Sequence, residues 1–233
     1  FADGRLKKIE FTGGPIQTLY EVPSTPCGGR WGRAGVILFA RTGGGGLSRI
    51  SATGGEVTEV TNLDRPRQEI SHRYPIFLPD DHHFLYSITS GQKETRGVYL
   101  GSLDGPLKRR LLDDFTTINY VPAVLGERGS GAGWLVFGSE GALFARPFDI
   151  SRFEFTGEKF PLSEKVGSDP GYANYFTFSV SYDGLLVFDQ SANRRRRQYH
   201  WWDRRSQRFN PLDGAAGILP PRLSPDEKRF IAE

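Results

Sequence analysis

The residues best suited to chemistry in this sequence include the turn Asp80-Asp-His-His83, which places two carboxylates beside two imidazoles. Each of these side-chain types is an acceptable ligand for a divalent cation. Four consecutive residues in one tight turn cannot converge on one ion, so a metal site would need further ligands from elsewhere. Asp is also a favoured turn residue. We therefore interpret the segment as a solvated hairpin with His82 and His83 exposed, and we expect no metal and no cofactor.

A second candidate is the segment from Glu69 to Tyr74, which contains Ser71, His72 and Arg73 and precedes an apolar strand. Hydroxyl, imidazole and guanidinium groups together can bind a polar ligand, and functional residues are concentrated in loops on rigid scaffolds. The same groups can instead form hydrogen bonds between neighbouring structural repeats. The sequence leaves both interpretations open.

The strongest local anomaly is basic: residues 191 to 208 contain seven Arg and one Asp, a net charge of +6. Because the whole chain carries +3, the remainder carries 3 minus 6, or −3. Arginines beside the aromatic run Tyr199 to Trp202 suggest nucleic acid. Phosphate binding usually requires a broad basic face rather than one segment, so we expect no nucleic-acid partner. Arg194 to Arg197 are predicted to form an exposed loop.

Catalytic signatures are missing from the sequence. The run Gly43 to Gly46 precedes a strand, whereas a phosphate-binding loop needs a following helix or lysine. There is no Gly-x-Ser-x-Gly elbow, no His-Glu-x-x-His motif and no protein-kinase signature. The single cysteine, Cys27, is interpreted as a packed residue. We therefore expect this segment not to be an enzyme.

Composition excludes a disordered chain and favours β structure. Apolar residues make up 37%, aromatic residues 13% and charged residues 24% of the 233 positions. The 29 Gly and 15 Pro separate short β-branched and aromatic runs such as Val36 to Ala40. Runs of this length are far below the ~18 residues of a membrane helix, so we expect no membrane insertion. Methionine is absent, even at position 1, which leads us to expect a segment of a longer protein.

One repeating unit accounts for most of the chain: a first strand, a Pro-Asp or Asp-Gly turn, an apolar second strand, an alternating third strand, a Gly turn and a fourth strand. The predicted third strands begin at residues 6, 47, 98, 143 and 199, which are 41, 51, 45 and 56 residues apart. These spacings approach the ~40 to 50 residue period of propeller blades. A four-stranded blade cannot bury both faces alone, so neighbouring blades must stack.

The predicted fold class is therefore all-β, a β-propeller of four-stranded antiparallel blades. The chain begins with a third and fourth strand and finishes with a first and second, so both termini are predicted to complete one composite blade. Five blades within a single propeller domain, residues 1 to 233, are expected, although an arc of a larger ring is the alternative. Their ranges are 220–233 with 1–22, 31–63, 71–113, 119–166 and 174–213.

Several segments carry a more specific pattern, with third strands ending in Gly turns and first strands ending in Pro-Asp. They are Leu6 to Gly14, Leu47 to Gly55, Glu69 to Asp80, Val98 to Gly105, Ala145 to Asp149 and Pro221 to Asp226. These segments resemble the WD-like, TolB-type propeller repeats of bacteria. The stretch from 69 to 105 resembles the propeller that follows the kinase domain in many acidobacterial-type serine/threonine protein kinases. Asp81 and Glu227 depart from the pattern, because the repeat usually has a turn glycine there.

The resemblance implies a non-catalytic module for ligand sensing or protein–protein interaction, joined in the parent protein to a signalling domain such as a serine/threonine kinase. Such a module would be extracytoplasmic if that kinase is anchored in a membrane. The alternatives are an accessory or gating propeller of a TolB-like or prolyl-peptidase-like protein, and a propeller hydrolase. Propellers carry many unrelated functions, so the resemblance is more specific for fold than for function.

A binding site is predicted at the channel mouth, where the first strands of the blades begin. The partner is expected to be a protein or a small polar or anionic ligand, such as a peptide carboxylate or a sugar acid, since Arg and Tyr are favoured interface anchors. The predicted residues are Arg30, His72, Arg73, Tyr120, Tyr175 and Arg222.

Overall fold

The structure is a computed structural model that divides into two compact units, residues 1–115 and 116–233. It describes residues 1, 4–9, 15–22, 27–41, 44–123, 131–168, 175–181 and 184–190, together with the backbone of strands within 197–203, 208–217, 222–223 and 230–231. Within these residues, no helix is long and apolar enough to span a bilayer.

The first unit contains a two-stranded sheet and two four-stranded sheets, all antiparallel and connected in sequence order. The two-stranded sheet consists of β1 (Arg5–Lys8) and β2 (Gln17–Glu21). The first four-stranded sheet consists of β3 (Gly29–Trp31), β4 (Val36–Ala40), β5 (Leu47–Ser51) and β6 (Thr58–Glu59). The next consists of β7 (Glu69–Phe77), β8 (His83–Ser90), β9 (Gly97–Ser102) and β10 (Arg109–Leu112), with a 3-10 turn at Lys93–Thr95.

The second unit repeats this arrangement, with one additional strand. Its first sheet consists of β11 (Ile118–Pro122), β12 (Ala132–Ser139), β13 (Ala142–Asp149), β14 (Glu154–Phe155) and β15 (Phe160–Ser163), the last two both pairing with β13. Its four-stranded sheet consists of β16 (Phe178–Val180), β17 (Leu186–Asp189), β18 (Arg197–Asp203) and β19 (Arg208–Gly217). The pair β20 (Arg222–Leu223) and β21 (Phe230–Ile231) completes it.

These sheets confirm the predicted all-β class and the four-strand antiparallel repeat. Each predicted third strand coincides with an observed one: β1, β5, β9, β13 and β18. β13 is eight residues long, so two short strands share its edge where the repeat has one. The terminal pairs β1–β2 and β20–β21 are each a two-stranded sheet. Their union in one composite blade, the count of five blades and the exact blade ranges stay predictions.

The buried core consists mainly of the strands that are covered on both faces of their sheet. The second strand of each larger sheet is an almost continuous buried apolar run, as in Phe84 to Ile88 and Leu186 to Phe188. The fourth strands β6 and β10 are short and more exposed, and both residues of β6 are exposed. In the first unit, β1–β2 packs on β3–β6 through a cluster that includes Leu6, Ile37 and Phe39. Burial therefore reproduces the apolar runs that defined the repeat.

The turn between first and second strands keeps one geometry despite its varied sequence. Gly35 and Gly184 both have φ of +79°, and Asp81 occupies the same position with φ of +58°. Asp81 N–H donates to the Leu78 carbonyl at 3.0 Å, as Gly184 N–H does to the Ser181 carbonyl at 3.2 Å. Asp tolerates the left-handed region better than most residues. Its turn is therefore as tight as the glycine turns, whereas Glu227 lies outside the described residues.

Candidate functional site

The segment Glu69 to Tyr74 contains a buried polar network at the start of β7. The side chains of Glu69 and His72 both have an exposed fraction of 0%. His72 Nε2 lies 3.1 Å from Glu69 Oε2, and its Nδ1 lies 2.7 Å from Thr61 Oγ1. A carboxylate only accepts hydrogen bonds, so Nε2 carries the proton and, in the neutral ring, Nδ1 accepts from the Thr61 hydroxyl.

This network joins the two four-stranded sheets of the first unit. The Thr61 hydroxyl accepts a hydrogen bond from Leu47 N–H on β5 at 2.8 Å, while donating to His72 on β7. The backbone adds Gly45 N–H to the Ile70 carbonyl at 3.2 Å and His72 N–H to the Gly45 carbonyl at 2.8 Å. Of the two interpretations open at the sequence level, hydrogen bonding between repeats is therefore observed. A ligand-binding role remains a prediction.

Glu69 is the charged centre of the network. Its Oε1 accepts from Lys108 Nζ at 2.5 Å, and its Oε2 also accepts from Asp64 N–H at 2.7 Å. Burial alone would raise the pKa of Glu69, but the hydrogen bonds from His72, Asp64 and Lys108 outweigh it and lower the pKa to about 2. The carboxylate is therefore ionised at neutral pH. Burial, and to a lesser extent the Glu69 charge, raises the pKa of the neighbouring Tyr86.

The order hydroxyl, imidazole and carboxylate in Thr61, His72 and Glu69 is also that of a nucleophilic triad. In such a triad the imidazole removes the hydroxyl proton and the carboxylate orients the ring. Here the ring packs against Tyr86, with centroids 5.1 Å apart, and is fully buried. The Thr61 hydroxyl also holds the backbone of β5. The connectivity is therefore that of a triad, whereas the contacts are those of a structural link.

The part of the glycine run that the structure describes, Gly44 to Gly46, has a packing role that the sequence did not reveal. Gly45 bridges to Ser71 on β7. A Cβ on Gly46 would lie 1.7 Å from the Thr61 carbonyl oxygen, which is a backbone atom and cannot move aside cheaply. Glycine at 46 thus lets this segment approach the residue that anchors His72.

We expect Gly46→Ala to lower the free energy of unfolding by about 1–3 kcal/mol, the range for overpacked sites. The matched control is Gly105→Ala, where a Cβ would meet nothing within 4 Å. Urea unfolding followed by tryptophan fluorescence measures both variants. Equal stability of the two would contradict the close approach at Gly46.

The Asp80 to His83 turn behaves as a hydrogen-bonded hairpin. Asp80 Oδ1 accepts the backbone N–H groups of His82 and His83 at 3.1 and 2.9 Å, and its Oδ2 pairs with His83 Nδ1 at 2.5 Å. His82 Nδ1 lies 2.9 Å from Asp104 Oδ2. The His82 side chain is 62% exposed, as predicted, but that of His83 is 26% exposed because it folds onto Asp80. Among the residues described, no three His, Cys, Asp or Glu side chains are grouped to hold a metal ion.

The six predicted channel-mouth residues are distributed over both units. Arg30 on β3 and Arg73 on β7 are half-buried, and Arg73 Nε donates to Ser71 Oγ at 2.7 Å. His72 is fully buried within the network.

The other three predicted residues lie in the second unit. Tyr120 is 7% exposed, and its hydroxyl donates to the Ala132 carbonyl at 3.1 Å. Tyr175, just before β16, is half-buried. For Arg222 the structure describes only the strand, β20. Binding by the set of six stays a prediction. Of the loop predicted over Arg194 to Arg197, the first three residues lie outside the described residues, and the prediction is wrong for Arg197, which is the first residue of strand β18.

Comparison with known proteins gives structural but not sequence relatives. No protein-family model matches the chain, and no curated protein matches it significantly. Among solved structures, TolB from Acinetobacter baumannii is 15% identical with a TM-score of 0.68, and the match covers 97% of this chain and 53% of that one. Regucalcin, a calcium-binding protein from Agrobacterium tumefaciens, is 15% identical with a TM-score of 0.63, covering 98% and 74%. A puromycin-hydrolysing peptidase from Mycobacterium tuberculosis is 11% identical with a TM-score of 0.56, covering 99% and 50%.

The repeated four-stranded antiparallel sheets and these neighbours together define the class of fold, a β-propeller. Within that class, the predicted resemblance to TolB-type propellers is confirmed for the fold, whereas the resemblance to the propeller of serine/threonine kinases stays a prediction. The chain spans about half of the TolB chain that it matches. At identities of 15% or less, these likenesses establish the fold alone.

Proposed function

We propose that this propeller is a non-catalytic binding module for a protein or a small anionic ligand, and part of a larger bacterial signalling protein such as a serine/threonine kinase. The observation that carries the proposal is the buried network at Glu69 and His72. The groups most suited to acid–base chemistry in the first unit are fully buried and bonded to one another. We infer that they stabilise the scaffold and that recognition uses the residues at the start of the first strands.

The arginines among these residues suit the proposed site to anionic ligands. A guanidinium carries five N–H donors, and the Arg73 Nε donates to Ser71 Oγ. Bidentate pairing with a carboxylate adds both energy and directional specificity. A peptide C-terminus or a sugar acid therefore fits this residue type better than a neutral ligand does.

The binding test uses the terminal carboxylates of short peptides and D-glucuronate as probes, measured by calorimetry on the full chain. We expect the double variant Arg73→Ala with Arg222→Ala to lose at least about tenfold in affinity for a probe that binds, since truncating an anchor residue of a binding site costs about 2 kcal/mol or more and tenfold corresponds to about 1.4 kcal/mol. Arg49→Ala, which removes an exposed arginine on β5, is the control. Unchanged affinity in the double variant would contradict this site, and failure of every probe would contradict a small carboxylate ligand.

A propeller hydrolase is the second candidate, because Thr61, His72 and Glu69 have triad connectivity. A fluorophosphonate reagent would label Thr61 in a hydrolase, and mass spectrometry would locate the adduct. We expect no labelling, since the imidazole is buried against Tyr86. Labelling that disappears in Thr61→Val would favour the hydrolase instead.

A gating propeller is a third candidate, because the chain is similar to half of a peptidase that hydrolyses puromycin. The sequence of the parent protein beyond these residues would distinguish a gating propeller from a sensing one. An adjoining hydrolase domain supports gating, whereas an adjoining kinase domain supports sensing.

A further inference from the structure

An apolar pocket that is partly open at the surface lies in the second unit, between its two larger sheets. Its volume is about 130 Å³. The lining residues that the structure describes are all apolar: Val121, Trp134, Val136, Ala145, Phe160, Leu162, Val180, Gly184 and Leu186. Six of them belong to the sheet β11–β15, and three lie on or beside β16 and β17.

Strand register explains why the six residues of the first sheet face one space. Val121 pairs with Trp134, and Val136 pairs with Ala145, which in turn pairs with Phe160. Paired residues share a face of a sheet, and residues two apart on one strand do so as well. Because Trp134 and Val136 are two residues apart on β12, the pair that contains Trp134 and the row that contains Val136 lie on the same face of the sheet. Opposite them, Val180 pairs with Leu186 on the second sheet.

The cavity exists because a small residue occupies the centre of this face. Ala145 is 3% exposed and lies between Val136 and Phe160. Gly138 lies on the same face, two residues after Val136 on β12. The sheets fit tightly there, because a Cβ on Gly138 would lie 2.1 Å from the ring of Phe176. The sheets thus fit closely at Gly138 and leave a gap at Ala145.

The surroundings of the gap favour an apolar filling over ordered water. An ordered water needs two to four polar partners, and enclosed apolar cavities of comparable volume bind benzene or xenon. An empty cavity also costs its lining the dispersion contacts on one side. Val121, Val136, Val180 and Leu186 belong to an apolar core cluster of the unit, so the inner wall of the gap is part of the core.

We propose that this cavity binds one small, uncharged, apolar molecule of the size of a single aromatic ring. A volume of about 130 Å³ fits one aromatic ring, and the lining residues that the structure describes include no charged residue to favour an ion. Trp134 and Phe160 supply aromatic surface, and Phe160 is 42% exposed, which places one wall of the cavity at the surface. This site is independent of the anionic-ligand site proposed above, because it uses none of the same residues.

Toluene is the probe for this site. The methyl groups of Val121, Val136, Val180 and Leu186 serve as reporters in NMR spectra of the full chain labelled at valine and leucine. We expect toluene to shift these methyls and to leave Val98, in the first unit, unchanged. At ten times its dissociation constant it should raise the melting temperature by roughly 3–6 °C. Phenol, which brings a hydroxyl into an apolar lining, should bind more weakly.

Two variants of Ala145 test the location. Ala145→Leu fills the gap and should abolish the toluene shifts while leaving the far-ultraviolet circular dichroism unchanged. Ala145→Ser changes the volume little but adds a hydroxyl, and should weaken toluene binding at least about fivefold. Ala142→Leu is the matched control: it makes the same change at the start of β13 but three positions away, and so on the opposite face of the strand.

Each result decides the proposal. It is supported by methyl shifts confined to the lining, lost in Ala145→Leu and kept in Ala142→Leu. It is overturned if toluene at its solubility limit shifts none of the lining methyls, or shifts those of both units equally. If Ala145→Leu does not fold, the serine variant decides: unchanged toluene affinity in Ala145→Ser overturns the site.

Discussion

Replacing Glu69 by Ala is expected to lower the free energy of unfolding by about 3 kcal/mol, the lower end of the cost of breaking a buried ion pair, because Glu69 is fully buried but the Lys108 side chain is 31% exposed. The substitution leaves Lys108 without its carboxylate partner and removes the acceptor for His72 Nε2 and Asp64 N–H. Each orphaned donor then adds its own desolvation penalty. A single substitution thus disturbs the contacts of β7 with two other segments.

Glu59→Ala is the matched control, because Glu59 is also paired, with Arg41 Nη2 at 2.7 Å, but its side chain is 58% exposed. Exposed pairs contribute about 0–1 kcal/mol, so this variant should unfold almost like the wild type. Urea titration of the three proteins gives the comparison. A loss below about 1 kcal/mol for Glu69→Ala would mean that the network does not hold the two sheets together.

The repeat was predictable from sequence because it rests on short-range patterns. Apolar runs such as Val36 to Ala40 and glycines such as Gly35 and Gly184 mark second strands and turns, and these appear at the expected places. Asp81 shows the limit of that approach, since a residue other than glycine adopts the same left-handed turn. The sequence pattern identifies the residue type that is most favourable at a turn position, but other residue types can adopt the same conformation.

The network at β7 could not be predicted, because two residues three apart on a regular strand lie on opposite faces. The pairing of β7 with β8 shifts between Glu69 and Ser71, and such an irregularity reverses the faces on either side of it. Glu69 and His72 thereby meet. Lys108 and Thr61 join them from 39 and 11 residues away in sequence. The gap at Ala145 could not be predicted from the sequence either, because it depends on how closely two sheets pack against each other.

The lowered pKa of Glu69 also makes the free energy of unfolding depend on pH. In the folded protein the pKa is lowered from 4.5 to about 2, so the carboxylate binds protons less readily than in the unfolded chain. A lowered pKa stabilises the fold above the unfolded value, and the stabilisation is lost as the pH falls through the folded value. The window is therefore pH 4.5 down to about pH 2.

The size of the effect follows from the same shift. A difference of roughly 2.5 pH units at about 1.36 kcal/mol each amounts to about 3 kcal/mol. His72 and Lys108 are the cationic or donating groups that face Glu69, and Tyr86 and Tyr99 are neutral throughout this acidic range. We expect the stability of the wild type, measured by urea unfolding, to be level from pH 7 to about pH 5.5 and to fall by about 3 kcal/mol more than that of Glu69→Gln by pH 2.

The comparison with Glu69→Gln is essential, because other carboxyl groups also lose stabilisation in acid. Hydrogen bonds from the Ser151 hydroxyl and backbone lower the pKa of Asp149. At Asp80, burial acts in the opposite direction, but the hydrogen bonds from His83 and His82 outweigh it and lower that pKa as well. These contributions are common to both proteins and cancel in the difference. Parallel stability curves between pH 5.5 and 2 would therefore mean that the network does not hold Glu69 ionised, whereas curves that converge as the pH falls isolate its contribution.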